Sequence, residues 1–196
     1  LHQLNAGSQP IDFATYGFGD WEIHFTSPSW SPDGTLLAGW AEGRQEDTDL
    51  SFYGIMYLDL QAATARIFAP LYHPVFWDGH PPAPEWSPDG RWLVYWGQDE
   101  QQQHVGIHVI DIRGGEIHFL AAEDDTAANC ANTWGPGKTV WSPDGHWLAF
   151  NRCEKILQTA IIKQGIWLAQ VGSWDTTIPL SLPQEAGLVG WIIAAP

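Results

Sequence analysis

The stretch Trp30-Ser31-Pro32-Asp33-Gly34 returns as Trp86-Ser87-Pro88-Asp89-Gly90 and again as Trp141-Ser142-Pro143-Asp144-Gly145. The copies are 56 and 55 residues apart, a spacing that marks a repeat architecture. Pro-Asp-Gly is turn chemistry. Proline presets φ at about −65°, aspartate bonds its own backbone, and glycine takes the positive φ that other residues resist. An apolar, strand-like run follows each turn: Thr35 to Trp40, Arg91 to Trp96 and His146 to Phe150. Each copy therefore reads as a hairpin, with one strand closing on Trp-Ser and a second leaving the glycine.

The repeat continues downstream. Tyr53 to Leu60, Val105 to Ile112 and Gln164 to Val171 each contain Gly-Ile and then alternate, which predicts a third strand. A fourth is expected over Ala65–Phe68, Glu116–Leu120 and Thr177–Leu182. Four antiparallel strands in a unit of about fifty residues is the pattern of a propeller blade. The fold expected is all-β: a β-propeller of three full four-stranded blades, over about 27–68, 84–120 and 139–182, plus terminal strands of a further blade. This makes either a small four-bladed ring or part of a larger propeller. Bulky aromatics that fill the wedges between blades account for most of the 13 tryptophans.

The Trp-Ser-Pro-Asp-Gly hairpin followed by Gly-Ile-x-x-x-Asp resembles the WD40-like propeller repeat of the TolB type, over roughly residues 22–191. The third copy departs from it, with Gln170 where the others carry Asp59 and Asp111. The repeat, with no catalytic constellation beside it, reads as a non-catalytic protein- or peptide-binding or scaffolding propeller. The resemblance favours a periplasmic or extracellular location. Propellers similar to this one also sit beside hydrolase domains of the prolyl-oligopeptidase type, whose catalytic machinery would lie outside these residues.

Residues 1–10 are polar, with Gly, Ser and Pro, and read as a linker before a single domain over 11–196. Ile11–Phe18 and Trp21–Phe25 are expected to be strands. Glu22-Ile23-His24-Phe25 matches Glu116-Ile117-His118-Phe119, so 11–25 is assigned to the outer part of a blade, with His24 and His118 at equivalent positions. At the other end Gly187-Leu188-Val189-Gly190-Trp191 resembles the first strand of a blade, giving a terminal strand over 187–192. The open ends can close within one chain or by pairing in a homodimer. A first residue of Leu1 and no visible signal peptide suggest a processed or excised segment.

Charged residues are only 16% of the chain, against 44% hydrophobic, which speaks against disorder. The net charge of −15 argues against nucleic acid and anionic membrane surfaces as partners, since both call for basic patches. No apolar run approaches the roughly 18 residues of a membrane span.

Loop lengths point to a functional face. The first-to-second and third-to-fourth connections are tight. The second-to-third and blade-to-blade connections are long: Glu42–Ser51, Ala69–Ala83, Gly97–His104, Ala121–Lys138 and Asn151–Lys163. All the long ones fall on one face, where function tends to gather. The candidate binding residues are Glu46, Asp47 and Asp49; Tyr72, His73, Phe76, Trp77, Asp78 and His80; and Trp134. An acidic, aromatic face suits a basic or amphipathic peptide, or a sugar stacked on Trp77 or Trp134.

Catalytic readings are weaker. Asn132-Thr-Trp-Gly-Pro-Gly-Lys-Thr139 lacks the first glycine of a phosphate-binding loop and precedes a strand instead of a helix. Asp33, Asp89 and Asp144 share one turn context and read as turn caps. No Gly-x-Ser-x-Gly and no tight His–Glu metal spacing occurs, although His73, Asp78 and His80 share a loop. Cys130 and Cys153 fall on the long-loop face as a disulfide pair or as two free thiols. No cofactor and no catalytic group is expected.

Overall fold

The computed structural model describes residues 11–45, 48, 50–68, 82–98, 105–122, 138–155 and 162–180. These residues form three four-stranded antiparallel sheets, each in simple sequence order. The first contains β1 (Trp21–Trp30), β2 (Leu36–Gln45), β3 (Ser51–Asp59) and β4 (Thr64–Phe68). The second contains β5 (Glu85–Trp86), β6 (Trp92–Gln98), β7 (Val105–Asp111) and β8 (Ile117–Ala122). The third contains β9 (Thr139–Trp141), β10 (Trp147–Lys155), β11 (Ile162–Gln170) and β12 (Ser173–Leu180). Among the described residues no helix is long and apolar enough to cross a membrane.

The repeated pentapeptide makes the same turn three times. In the first copy the Ser31 amide donates to the Leu36 carbonyl and the Gly34 amide to the Ser31 carbonyl, both at 2.9 Å. Asp33 Oδ1 accepts from Ser31 Oγ at 2.6 Å and from the Thr35 amide at 3.0 Å. Ser31 Oγ in turn accepts from the Leu36 amide at 2.9 Å. Asp89 with Ser87, and Asp144 with Ser142, repeat this arrangement. Gly34, Gly90 and Gly145 have φ of 73°, 68° and 71°, the left-handed region that the turn requires. The three aspartates are therefore engaged within their own turns, by a serine hydroxyl and a backbone amide each.

The third-to-fourth turns explain the departure at Gln170. Asp59 Oδ1 accepts from the amides of Gln61 and Ala62, and Asp111 Oδ1 from those of Arg113 and Gly114. In the third sheet Gln170 pairs directly with Ser173, leaving only Val171 and Gly172 between them. That tighter turn has no extra amides for an aspartate to accept. The fourth strand consequently starts at Ser173, earlier than the expected Thr177.

The N-terminal assignment needs correction. Phe13–Tyr16 is a 3-10 turn, not a strand, capped by Asp12, which accepts from the Ala14 amide. Trp21–Phe25 is not the outer strand of another blade. It is the first half of β1, and it pairs with β2 from Trp21↔Gln45 to Phe25↔Ala41 before the register shifts between Thr26 and Ser29. Pro28 lies in that shift. A proline cannot donate to the ladder, and a bulge is where a strand tolerates one. The strand-like pattern on either side of Pro28 thus belongs to one strand interrupted by a bulge. His24 on β1 and His118 on β8 are consequently not equivalent. His24 is exposed beside Glu22, whereas His118 lies between the Trp92 and Trp174 rings. The terminal strand expected over 187–192 lies outside the described residues.

Each sheet buries its apolar faces against its neighbours. Ala38, Trp40, Ile55 and Phe68 of the first meet Trp86, Leu93, Tyr95, Ile110 and Ile112 of the second. Trp92, Val94, Ile107, Val109 and Leu120 meet Leu148, Phe150, Ala169 and Trp174 of the third. The motif tryptophans latch these junctions. Trp86 Nε1 donates to the Ser29 carbonyl at 3.0 Å, and Trp141 Nε1 to the Glu85 carbonyl at 3.4 Å. The acceptor in each case immediately precedes the motif tryptophan of the preceding sheet.

Candidate binding face

Antiparallel order sends alternate connections to opposite ends of each sheet. One end carries the pentapeptide turns and the short third-to-fourth turns. The other carries residues 46–50, 69–84, 99–104, 123–138 and 156–161. Several of these connections are shorter than expected. β2 runs to Gln45, so Glu42 lies in a strand, β6 runs to Gln98, and β10 runs to Lys155. Glu46, Asp47, Asp49, Tyr72, His73, Phe76, Trp77, Asp78, His80, Trp134 and Cys130 lie outside the described residues. Cys153 is on β10, opposite Gln164 in register.

The described strand ends form the floor beneath these connections. Trp40, Trp96 and Asn151 hold one repeat position, opposite Ile55, Ile107 and Ile166. Trp40 Nε1 donates to the Pro82 carbonyl at 2.9 Å and so ties the long connection before β5 to the floor. Its ring stacks on Tyr53 at 5.5 Å and meets the edge of Tyr95 at 5.8 Å. Trp96 Nε1 and Asn151 Oδ1 are buried and have no hydrogen-bond partner among the described residues. Buried polar atoms ordinarily have partners.

The floor also carries shifted acids. Tyr53 sits opposite Glu42 in register. Burial, and then the negative charge of Glu42, push its hydroxyl well above the usual phenol range. Glu85, on the first strand of the second sheet, accepts from Thr139 Oγ1 of the third at 3.0 Å. Burial raises its carboxyl, while the Thr139 hydroxyl and the Lys138 charge pull the other way. His108 is buried, its ring stacked on Tyr95 at 5.0 Å and its Nε2 3.2 Å from the Gly97 carbonyl. The Glu85–Thr139 bridge was not legible in sequence, because the two residues are 54 apart and meet only across a junction. Among the described residues no group of three or more His, Cys, Asp or Glu could hold a metal.

No protein-family profile matches the chain, and no curated protein matches it. Solved structures do. The β-propeller domain of the Trilobed protease from Pyrococcus furiosus superposes with a TM-score of 0.50 at 16% identity, over 80% of this chain and 43% of that one. Dipeptidyl peptidase 4 of Porphyromonas gingivalis superposes with a TM-score of 0.51 at 15% identity, over 82% and 26%. A putative TolB from Agrobacterium tumefaciens is also similar, at a TM-score of 0.41 and 15% identity, over 81% and 48%. The three sheets are blades and the fold is that of a β-propeller. The chain spans less than half the length of each of these structures.

Proposed function

We propose that this chain is a non-catalytic β-propeller module that binds a protein or peptide on its long-connection face. The observation that carries this reading is the asymmetry of the connections. Every described turn at one end is tight, while the chain spends its longer segments at the other. Binding residues concentrate on such segments when a rigid scaffold holds them. The acids of 46–49 and the aromatics of 72–80 give that face a chemistry suited to a basic or amphipathic peptide. A displayed random-peptide library, panned on the purified chain, tests it. Enrichment of basic, amphipathic sequences is expected, with binding lost on charge reversal of Glu46, Asp47 and Asp49 or on Trp77→Ala. Enriched peptides indifferent to all of these changes would count against the reading.

A second reading is that the propeller serves as an accessory domain of a hydrolase. Its support is that structures of similar fold include the β-propeller domain of a protease, of which the chain spans 43%, and a dipeptidyl peptidase, of which it spans 26%. The two readings separate on whether a polypeptide carrying these residues also carries a hydrolase domain. A sugar stacked on Trp77 or Trp134 is the third arrangement such a face allows, and a glycan array with no binding would dispose of it.

A further inference from the structure

We propose that the free edge of β1 over Trp21–Thr26 takes up an extended, basic and amphipathic peptide as an added strand. This strand addition rests on the peptide-binding reading above and gives it a place and a mode. β1 is the edge of its sheet and pairs only with β2. In an antiparallel ladder the N–H and C=O of one residue point to the same side, and successive residues alternate. The Trp21 amide donates back to the Phe18 carbonyl at 3.1 Å. The amide of Gln45, opposite Trp21, donates to the Leu50 carbonyl on the β3 side at 3.0 Å. Neither amide is used between the two strands. Trp21, Ile23 and Phe25 therefore turn their carbonyls away from β2, and Ile23 and Phe25 turn their amides away as well. Among the described residues no strand lies on that side. A row of such groups is a template for a further extended backbone.

The other blades have nothing equivalent. Trp21–Phe25 pairs with Gln45–Ala41, wholly beyond Trp40 toward the long connections. β5 starts at Glu85, opposite Val94, and β9 at Thr139, opposite Phe150, so neither reaches the level of Trp96 or Asn151. Edges are commonly blunted by short length, proline, bulges or charge. β5 and β9 are two and three residues long, and β4 is five with Arg66 at its centre. β12 contains Pro179, and β8 carries a register shift. The lower half of β1 has its own shift, around Pro28, before it ends on Trp30, which is 56% exposed where the equivalent Trp86 is 9% exposed. Trp21–Thr26 keeps a regular register and contains no proline, lysine or bulge.

The two faces of the strand set the pattern of the peptide. On one face the 3-10 turn forms a cover, in which Phe13, Tyr16 and Phe18 join Phe25 over Ala41, Met56 and Leu58. Trp21 meets Phe52 there at 5.3 Å. This apolar face holds β1 extended, and every second side chain of an added strand would continue it. From the other face project Glu22 and His24, 3.5 Å apart and with side chains 70% and 68% exposed. Glu42 lies opposite His24 and Arg44 opposite Glu22, with Asp20 just before the strand, so acids outnumber bases on this side. Lysine or arginine at the alternate peptide positions complements them. The net charge of −15 also favours such a peptide over a second copy of this chain, which would bring the same charge.

Amide exchange followed by NMR on the full chain tests this, and no protein variant is needed. The probe is an acetylated heptapeptide of alternating lysine and valine, with two further copies N-methylated on the valines or on the lysines. The Ile23 and Phe25 amides are expected to exchange freely in the unbound chain and several-fold more slowly with the peptide. Successive amides of an extended peptide face opposite edges, so one methylated copy should bind about tenfold more weakly than the other. Equal affinity of the two copies would overturn the proposal, since only an added strand distinguishes one peptide edge from the other. Protection of these amides in the unbound monomer would overturn it too, by assigning the edge to the chain itself. Protection that grows with protein concentration alone would assign it to a second copy. Library peptides that bind while these amides stay unchanged would remove strand addition and leave the binding module standing, whereas no binding by any peptide would remove both.

Discussion

Ser87 is fully buried, and its hydroxyl both donates to Asp89 and accepts from the Trp92 amide. Ser87→Ala would strand that amide at the start of β6, at a cost of about 1–3 kcal/mol, the usual penalty for an unsatisfied buried donor. The urea midpoint should fall accordingly with the slope unchanged. Acid acts on the same turns. The serine hydroxyls at 31 and 142, followed by backbone amides, hold Asp33 and Asp144 below the usual carboxylate range. Burial opposes this at Asp111, but Arg91, with its Nη2 2.8 Å from Oδ2, and two turn amides outweigh it. All three groups titrate lower when folded than the ordinary 3.8. Their stabilisation is fully present above that pH and drains away as pH falls through the folded values. Thermal melts should therefore be flat from neutrality down to about pH 5 on account of these groups and drop steeply below pH 4. In Arg91→Met the drop should be shallower.

The element that departs most from its repeat is β1. It runs ten residues where β5 and β9 run two and three, and it turns Phe25 back over Gly39. The glycine is a steric requirement here. Besides Phe25, a Cβ would meet the Thr26 carbonyl oxygen at 2.8 Å. Gly39→Ala is expected to destabilise by about 1–3 kcal/mol, the cost of overpacking. Phe25→Leu should recover only part of this in the double variant, because the backbone contact remains. Denaturation of the two single variants and the double variant checks it. The glycine itself was plain in the sequence. Its meaning was not, because it depends on a ring fourteen positions earlier that reaches it only once β1 and β2 are paired.

At the scale of the molecule, stability lies in the junctions between blades. Phe150 is fully buried in the second junction, among Trp92, Val94 and Trp174. Phe150→Ala should cost about 3–5 kcal/mol, the range for emptying an aromatic site in a packed core. The first junction contains Trp40 and Tyr95, and Tyr95→Ala should cost a similar amount there. Calorimetry on the two variants then reports on coupling. One transition shifted as a whole in each means the blades unfold together. A split transition means that each junction melts by itself, as in stacked repeat arrays.

The sequence by itself determined the blades. Turn chemistry is local, with Pro, Asp and Gly acting within a few residues. Strand alternation is local too, so three copies of one pentapeptide sufficed to read three four-stranded sheets. It also showed which end carries the longer connections, since connection length is written along the chain. Tertiary structure decided everything that depends on a partner strand or a neighbouring blade. It joined residues 21–25 to 26–30 across a proline bulge and turned 13–16 into a cover. It set His24 and His118 in unrelated places, brought Glu85 to Thr139, and left Trp30 in solvent while its two counterparts are latched. These outcomes rest on contacts between residues far apart in sequence, and no local periodicity encodes which surface will meet which.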